Sequence, residues 1–348
     1  MTVLTHPRMP PKQAKAETIH TIVRGRVPFL QSSPGLGKSS IAREIAENGK
    51  LKLIDLRLSQ SAPEDLQGLP MRTVINGVEK ASFLPFNTFP LETDTIPDGY
   101  QGWLLFLDEF NSASKSVQAA AYKLVLDRMV GTHKLHPKVA IMCAGNLQTD
   151  KAIVNVMSTA MQSRLVHIVM EASKDEWVDW ASQNGIDYRV IGFIEFQPTK
   201  LHVFSPDHQE MTFPCPRTWE MTSDLVKDLP DVSDKVALLS GVIGQGYAFE
   251  FVKFCEEYMR IPKLSAIIND PTKIMVPVEL STRFAVLTML MACVDVQNVK
   301  KIVQYIARFN PDEAIIFYRG ALNRDPKLRE VDEVSSELIK VMKFVNSN

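Results

Sequence analysis

The residues with the clearest chemical meaning are Ser33, Pro34, Gly35, Leu36, Gly37, Lys38, Ser39 and Ser40, within the stretch SSPGLGKSS. The stretch matches the Walker A pattern G-x-x-x-x-G-K-[ST] except at its first position, where Ser32 replaces glycine. In such a loop, backbone N–H groups turn inward at a helix N-terminus to cradle phosphate oxygens, and glycines permit close approach and positive φ. Lys38 would bring a point charge to the β- and γ-phosphates, and Ser39 a hydroxyl to Mg²⁺. A glycine turn opening an ordinary helix is the plainer alternative. The apolar strand before the loop and the helical pattern after it favour the phosphate reading.

A second set of chemical groups ends the run LLFLDE, from Leu104 to Glu109. Apolar residues would hold this strand in a core, and the two carboxylates would emerge at its C-terminal end. Asp108 is expected to orient Mg²⁺ and Glu109 to act as general base on the attacking water. Three more residues fit once these are in place. Asn146 closes the strand VAIMCAGN, where an amide could hold the lytic water or touch the γ-phosphate; a turn-forming Asn is the alternative. Arg164, in MQSRL, could reach across a subunit boundary as an arginine finger, or simply begin a strand. Arg217, in FPCPRTWE, could fold back onto the nucleotide from a lid, or pair with an acid at a helix start. Glu64 and Asp65 fit a helix cap and a role in shaping the site equally well.

The elements needed to position these groups are legible in order. Val27 to Gln31 read as a short apolar strand, Lys38 to about Asn48 as a helix ending near Gly49, and LKLIDLRL as a second strand. A region from about 69 to 102 loses periodicity, with Asn76-Gly77 as a hairpin turn, and reads as an insertion. GWLLFLDEF reads as a central parallel strand buried on both faces. An Ala-rich helix from about Ser114 to Met129 follows, then the strand KVAIMCAGN, then a helix leading into QSRLVHIVM. Strands alternating with helices predict a doubly wound α/β core over residues 1–172. Helical periods dominate afterwards, giving a helical lid at 173–260 and a helical C-terminal region at 261–348, their boundary left open. The run from Phe284 to Val294 is too short to cross a bilayer and reads as a buried helix.

Composition sets limits on this picture. In 348 residues, 45% are hydrophobic and 23% charged, the profile of a folded globular chain. Lys plus Arg number 39 against 40 acids, so no global field draws the chain to nucleic acid or anionic lipid. The four cysteines form no CxxC pair and the seven histidines no metal-binding spacing, so free thiols in a cytoplasmic setting are expected rather than a metal cage. Three prolines interrupt the first 16 residues and no apolar core follows, so an export signal is not expected. Trp177, Trp180 and Phe193 to Phe196 read as core packing rather than a base-stacking platform.

The order SPGLGKSS, PEDLQGLP, LLFLDEFNSA, CAGN, AMQSRLVH and PCPRTWE resembles the MoxR family of AAA+ ATPases, in its bacterial and phage sub-branch, over residues 14 to 230. The resemblance implies a P-loop AAA+ core with a parallel sheet between helices, an all-α lid, ATP and Mg²⁺ as ligands, and a ring of six subunits. It places Lys38, Asp108, Glu109, Asn146, Arg164 and Arg217 at the positions of Walker A lysine, Walker B acids, first sensor, arginine finger and second sensor. Ser112 stands where many members carry arginine. Members commonly act as chaperone-like remodellers beside a protein with a von Willebrand factor A domain. A nucleic-acid motor or loader and a nucleotide-gated scaffold are the competing readings, the first disfavoured by the near-neutral charge.

Overall fold

The computed structural model describes residues 6–150, 155–258 and 261–345. Contacts divide the chain into two units: one runs to Glu171 and includes Ser205–Asp207, and the other takes Ala172–Phe204 and the chain from His208 onward.

The first unit is an α/β layer structure. Its strands are β1 (Arg8–Met9), β2 (Val27–Gln31), β3 (Leu51–Arg57), β4 (Leu69–Ile75), β5 (Val78–Leu84), β6 (Gly102–Asp108), β7 (Met129–Val130), β8 (His133–Lys134), β9 (Val139–Gly145) and β10 (Leu165–Met170). Six of them form one sheet in the order β1-β10-β2-β9-β6-β3, with every pairing parallel. All seven residues of β6 are buried, which is why its sequence is an unbroken apolar run rather than an alternation. Register fixes what leaves the sheet together. Gln31 is level with Gly145, so Ser32 and Asn146 exit side by side; Arg57 is level with Asp108, so β3 and the acids of β6 end at the same edge.

Helices α1 (Pro11–Val23), α2 (Lys38–Asn48), α3 (Pro63–Gln67), α4 (Lys115–Leu126) and α5 (Thr159–Gln162) belong to this unit. α2 buries Ile41, Ala42, Ile45 and Ala46, a stripe at helical spacing. Asp65 accepts the Ala62 N–H at 2.8 Å, so the acid pair of PEDLQG includes a helix cap. The expected insertion contains the hairpin β4-β5 turning at Asn76-Gly77, with exposed Leu69, Met71, Val74 and Phe83. The helix expected to lead into QSRLVHIVM is short: α5 has 4 residues before β10 begins, and residues 151–154 of that reading lie outside the described ones.

The second unit is helical, from α6 (Lys174–Gln183), α7 (Tyr188–Phe196) and α8 (Pro216–Val226) through α9 (Val236–Ile243), α10 (Gln245–Tyr258) and α11 (Leu264–Asn269) to α12 (Leu280–Cys293), α13 (Val299–Ile306), α14 (Pro311–Arg324) and α15 (Asp332–Val345). One core cluster runs from Trp177 to Val334 and contains Phe193, Trp219 and Leu287. Trp177 and Phe193 are therefore packing residues, and the apolar run from Phe284 lies in a buried helix. The helical stretch read across 232–260 breaks at Gly244, and residues 259–260 lie outside the described ones. Among the described residues no helix is long and apolar enough to cross a membrane.

Candidate functional site

The loop from Ser32 to Gly37 leaves β2 and enters α2 through two left-handed glycines, Gly35 at φ 81° and Gly37 at φ 83°. Other L-residues avoid that region. Lys38 then opens a helix whose N-terminus carries roughly half a positive charge. Its Nζ donates to Ser32 O, Ser32 Oγ and Asn146 Oδ1, each at 3.1 Å, with Ser33 O at 3.5 Å. Ser39 Oγ donates to Asp108 Oδ2 at 3.0 Å. Pro34 and Gly35 complete the bend, Leu36 is buried, and Ser40 is exposed on the first turn of α2.

The acids follow from the end of β6. Asp108 Oδ1 accepts the Glu109 N–H at 2.8 Å, and Glu109 itself is left-handed at φ 53°. Its carboxylate accepts the hydroxyl of Ser59, which follows β3. Asp55, on β3, feels the same cluster: burial and then the Asp108 carboxylate raise its carboxyl above the ordinary value, against the opposing charges of Arg57 and Arg43.

Lys38, Ser39, Asp108, Glu109 and Asn146 are thus brought together at one sheet edge, where α/β sheets place ligands. Arg164 is not joined to them. It lies exposed just past α5, its Nη1 donating to Ala160 O at 2.9 Å and its guanidinium 5.7 Å from the centre of the Tyr122 ring. Arg217 belongs to the second unit, exposed on the first turn of α8.

The family model of the ATPase family associated with various cellular activities (AAA) matches residues 29–169. The first unit carries an AAA domain. Among solved structures, the chain is similar to a Thermotoga maritima RuvB variant (13% identity, TM-score 0.33, covering 88% of this chain and 80% of that one). It is also similar to the Thermotoga maritima RuvB Holliday junction branch migration motor (13%, 0.32, 85% and 73%). A third is a Cytophaga hutchinsonii protein provisionally assigned as an ATPase (12%, 0.33, 97% and 90%). No curated protein matches the sequence.

Three polar residues of the AAA domain escape sequence reasoning. Asn111, only 1% exposed, bonds both backbone groups of Asn146. Ser59 and Asp55 lie on or after β3, and only the register of β3 against β6 reveals that they face the acids. A signal for Asn111 did exist: a polar residue two positions past the acid pair that ends an all-apolar strand.

Proposed function

We propose that the chain binds ATP with Mg²⁺ and hydrolyses it, as a MoxR-type AAA+ remodeller of a partner protein working in a homo-oligomeric, six-membered ring. The carrying observation is the convergence of the Lys38 ammonium, the Asn146 amide and the Ser39/Asp108 oxygen pair at the open end of β2, β9 and β6. The acceptors around Lys38 in the loop and at Asn146 are neutral oxygens. An anionic phosphate oxygen makes a stronger, charge-assisted bond and would displace them.

The Ser39 hydroxyl and Asp108 carboxylate are hard oxygen donors 3.0 Å apart, the donor set that suits Mg²⁺. When bound, Mg²⁺ supplies charge at the β- and γ-oxygens. The amides around Gly35 to Ser40 hold the triphosphate, and Lys38 neutralises charge on it. Glu109 takes the proton of the water attacking the γ-phosphorus as the bond to the β-phosphate oxygen breaks. Ser59 holds that carboxylate. Arg164 completes the site of a neighbouring subunit, and Arg217 acts as second sensor. A protein with a von Willebrand factor A domain fits as partner, and the cytoplasm as setting.

Magnesium-dependent ATP turnover by the full chain tests this reading, with Glu109→Gln as the decisive variant. It should retain nucleotide and hold its partner while turnover falls about 10²- to 10⁴-fold. Wild-type turnover in Glu109→Gln would end the scheme; normal partner processing without hydrolysis would favour a nucleotide-gated scaffold.

A further inference from the structure

The segment Phe110–Ser112 begins directly after Glu109, and Asn111 at its centre is buried. Its Nδ2 donates to Asn146 O at 2.7 Å while its Oδ1 accepts the Asn146 N–H at 3.2 Å. A carboxamide has one donor and one acceptor in the plane needed to match both backbone groups of one residue; no hydroxyl or carboxylate does. The approach is close. A Cβ on Gly145 would lie 2.2 Å from Asn111 Oδ1 and 2.9 Å from Phe29 Cε2. The backbone C=O of Asn111 accepts the Asn155 N–H at 2.7 Å, and Asn155 Nδ2 donates to Ala113 O at 2.8 Å. Ser158, which caps α5, follows three residues later, and Arg164 lies two residues past the end of α5.

Resting on the ATPase reading above, we propose that Asn111 is a positioning residue: it sets the Asn146 amide against Lys38 and pins the segment leading to Arg164 to the same point. The acid that handles water lies two residues before Asn111, the Asn111 side chain holds the amide beside Lys38, and its backbone carbonyl holds the segment leading to the exposed Arg164. A change at the γ-phosphate felt by Asn146 is transmitted through Asn111 to Asn155 and on to Arg164.

The test is steady-state kinetics of the full chain with Mg-ATP, alongside the dissociation constant of a fluorescent ATP analogue. Asn111→Ala is expected to lower kcat at least tenfold, since small misplacements of reacting groups cost up to about a hundredfold, while analogue affinity stays within about threefold. Asn111→Asp keeps the oxygen that takes the Asn146 N–H but sets a buried carboxylate oxygen against the Asn146 carbonyl, and should lose at least as much kcat as Asn111→Ala. Gly145→Ala pushes Asn111 aside without substituting any proposed nucleotide-binding residue, and should reproduce the Asn111→Ala pattern. Wild-type kcat in a folded Asn111→Ala protein overturns the proposal. So does an equal loss of kcat and analogue affinity in both variants, the mark of general unfolding. Where Asn111→Ala fails to fold, Asn111→Asp and Gly145→Ala decide by the same criteria. A wild-type chain without magnesium-dependent turnover removes the ATPase reading itself, whereas these outcomes remove only the role of Asn111.

Discussion

Gly37→Ala isolates what the phosphate loop demands of its backbone. Gly37 has φ 83° and ψ 22°, and a Cβ built on it meets nothing within 4 Å. Steric conflict therefore contributes nothing in the free protein. The cost is that of an L-residue in the left-handed region, about 1–2 kcal/mol. For a folding unit the size of the first one, which runs to Glu171, that corresponds to a fall in its Tm of about 2–8 °C, at roughly 2–4 °C per kcal/mol. If the loop relaxes instead, the strain reappears as lost nucleotide affinity, about tenfold for each 1.4 kcal/mol. Differential scanning calorimetry and titration of a fluorescent ATP analogue read the two quantities on the same sample. Asparagine visits the left-handed region more readily than alanine, so Gly37→Asn should lose less on both. Gly37→Ala with wild-type Tm and wild-type affinity, or Asn costing more than Ala, would refute the argument that this glycine is there for its φ.

Three further outcomes follow from the same geometry. Arg164→Ala should keep analogue affinity within about threefold yet lose turnover on the order of a thousandfold, because a finger acts on charge that develops during reaction; full turnover would remove the trans site. Leu105→Ala, in the middle of the fully buried β6, should cost about 2–5 kcal/mol in a denaturant titration, and a loss below about 1 kcal/mol would show that the strand is not a packed core element. Asp55 has its folded carboxyl value raised by burial and by Asp108, so the charged form is penalised in the native state and stability is lost as pH rises through that value from the ordinary 3.8. Asp55→Asn removes the penalty, so its advantage in Tm should be larger near pH 7 than near pH 4; equal curves would show that the carboxylate is not penalised.

What could be read from the letters was whatever depends on local pattern. Val27–Gln31 and Lys38–Asn48 emerge at the expected residues, because an apolar run, a glycine pair and a helical stripe are all local signals. Asn76-Gly77 makes the expected hairpin for the same reason. What stayed hidden depends on register. No local pattern shows that Arg57 is level with Asp108, and hence that Ser59 meets Glu109 and Asp55 feels Asp108. Asn111 was visible only as part of DEFNSA, since its role is defined by a backbone group 35 residues away.

Ser32, the one mismatch to the phosphate-loop pattern, shows how register explains a departure from a motif. Gln31 pairs with Gly145 and the Ser32 N–H reaches Gly145 O at 3.4 Å, so position 32 still belongs to the sheet rather than to the bend. Its φ is not positive, whereas Gly35 and Gly37 both are. A first glycine is therefore not needed here for conformational freedom, and a side chain at this position brings no backbone strain. Ser32 is fully buried, and its hydroxyl donates to Ser33 O at 2.9 Å while accepting from Lys38 Nζ at 3.1 Å. The serine thus adds an acceptor that helps hold the lysine over the loop, and the departure from the pattern leaves the loop's geometry intact.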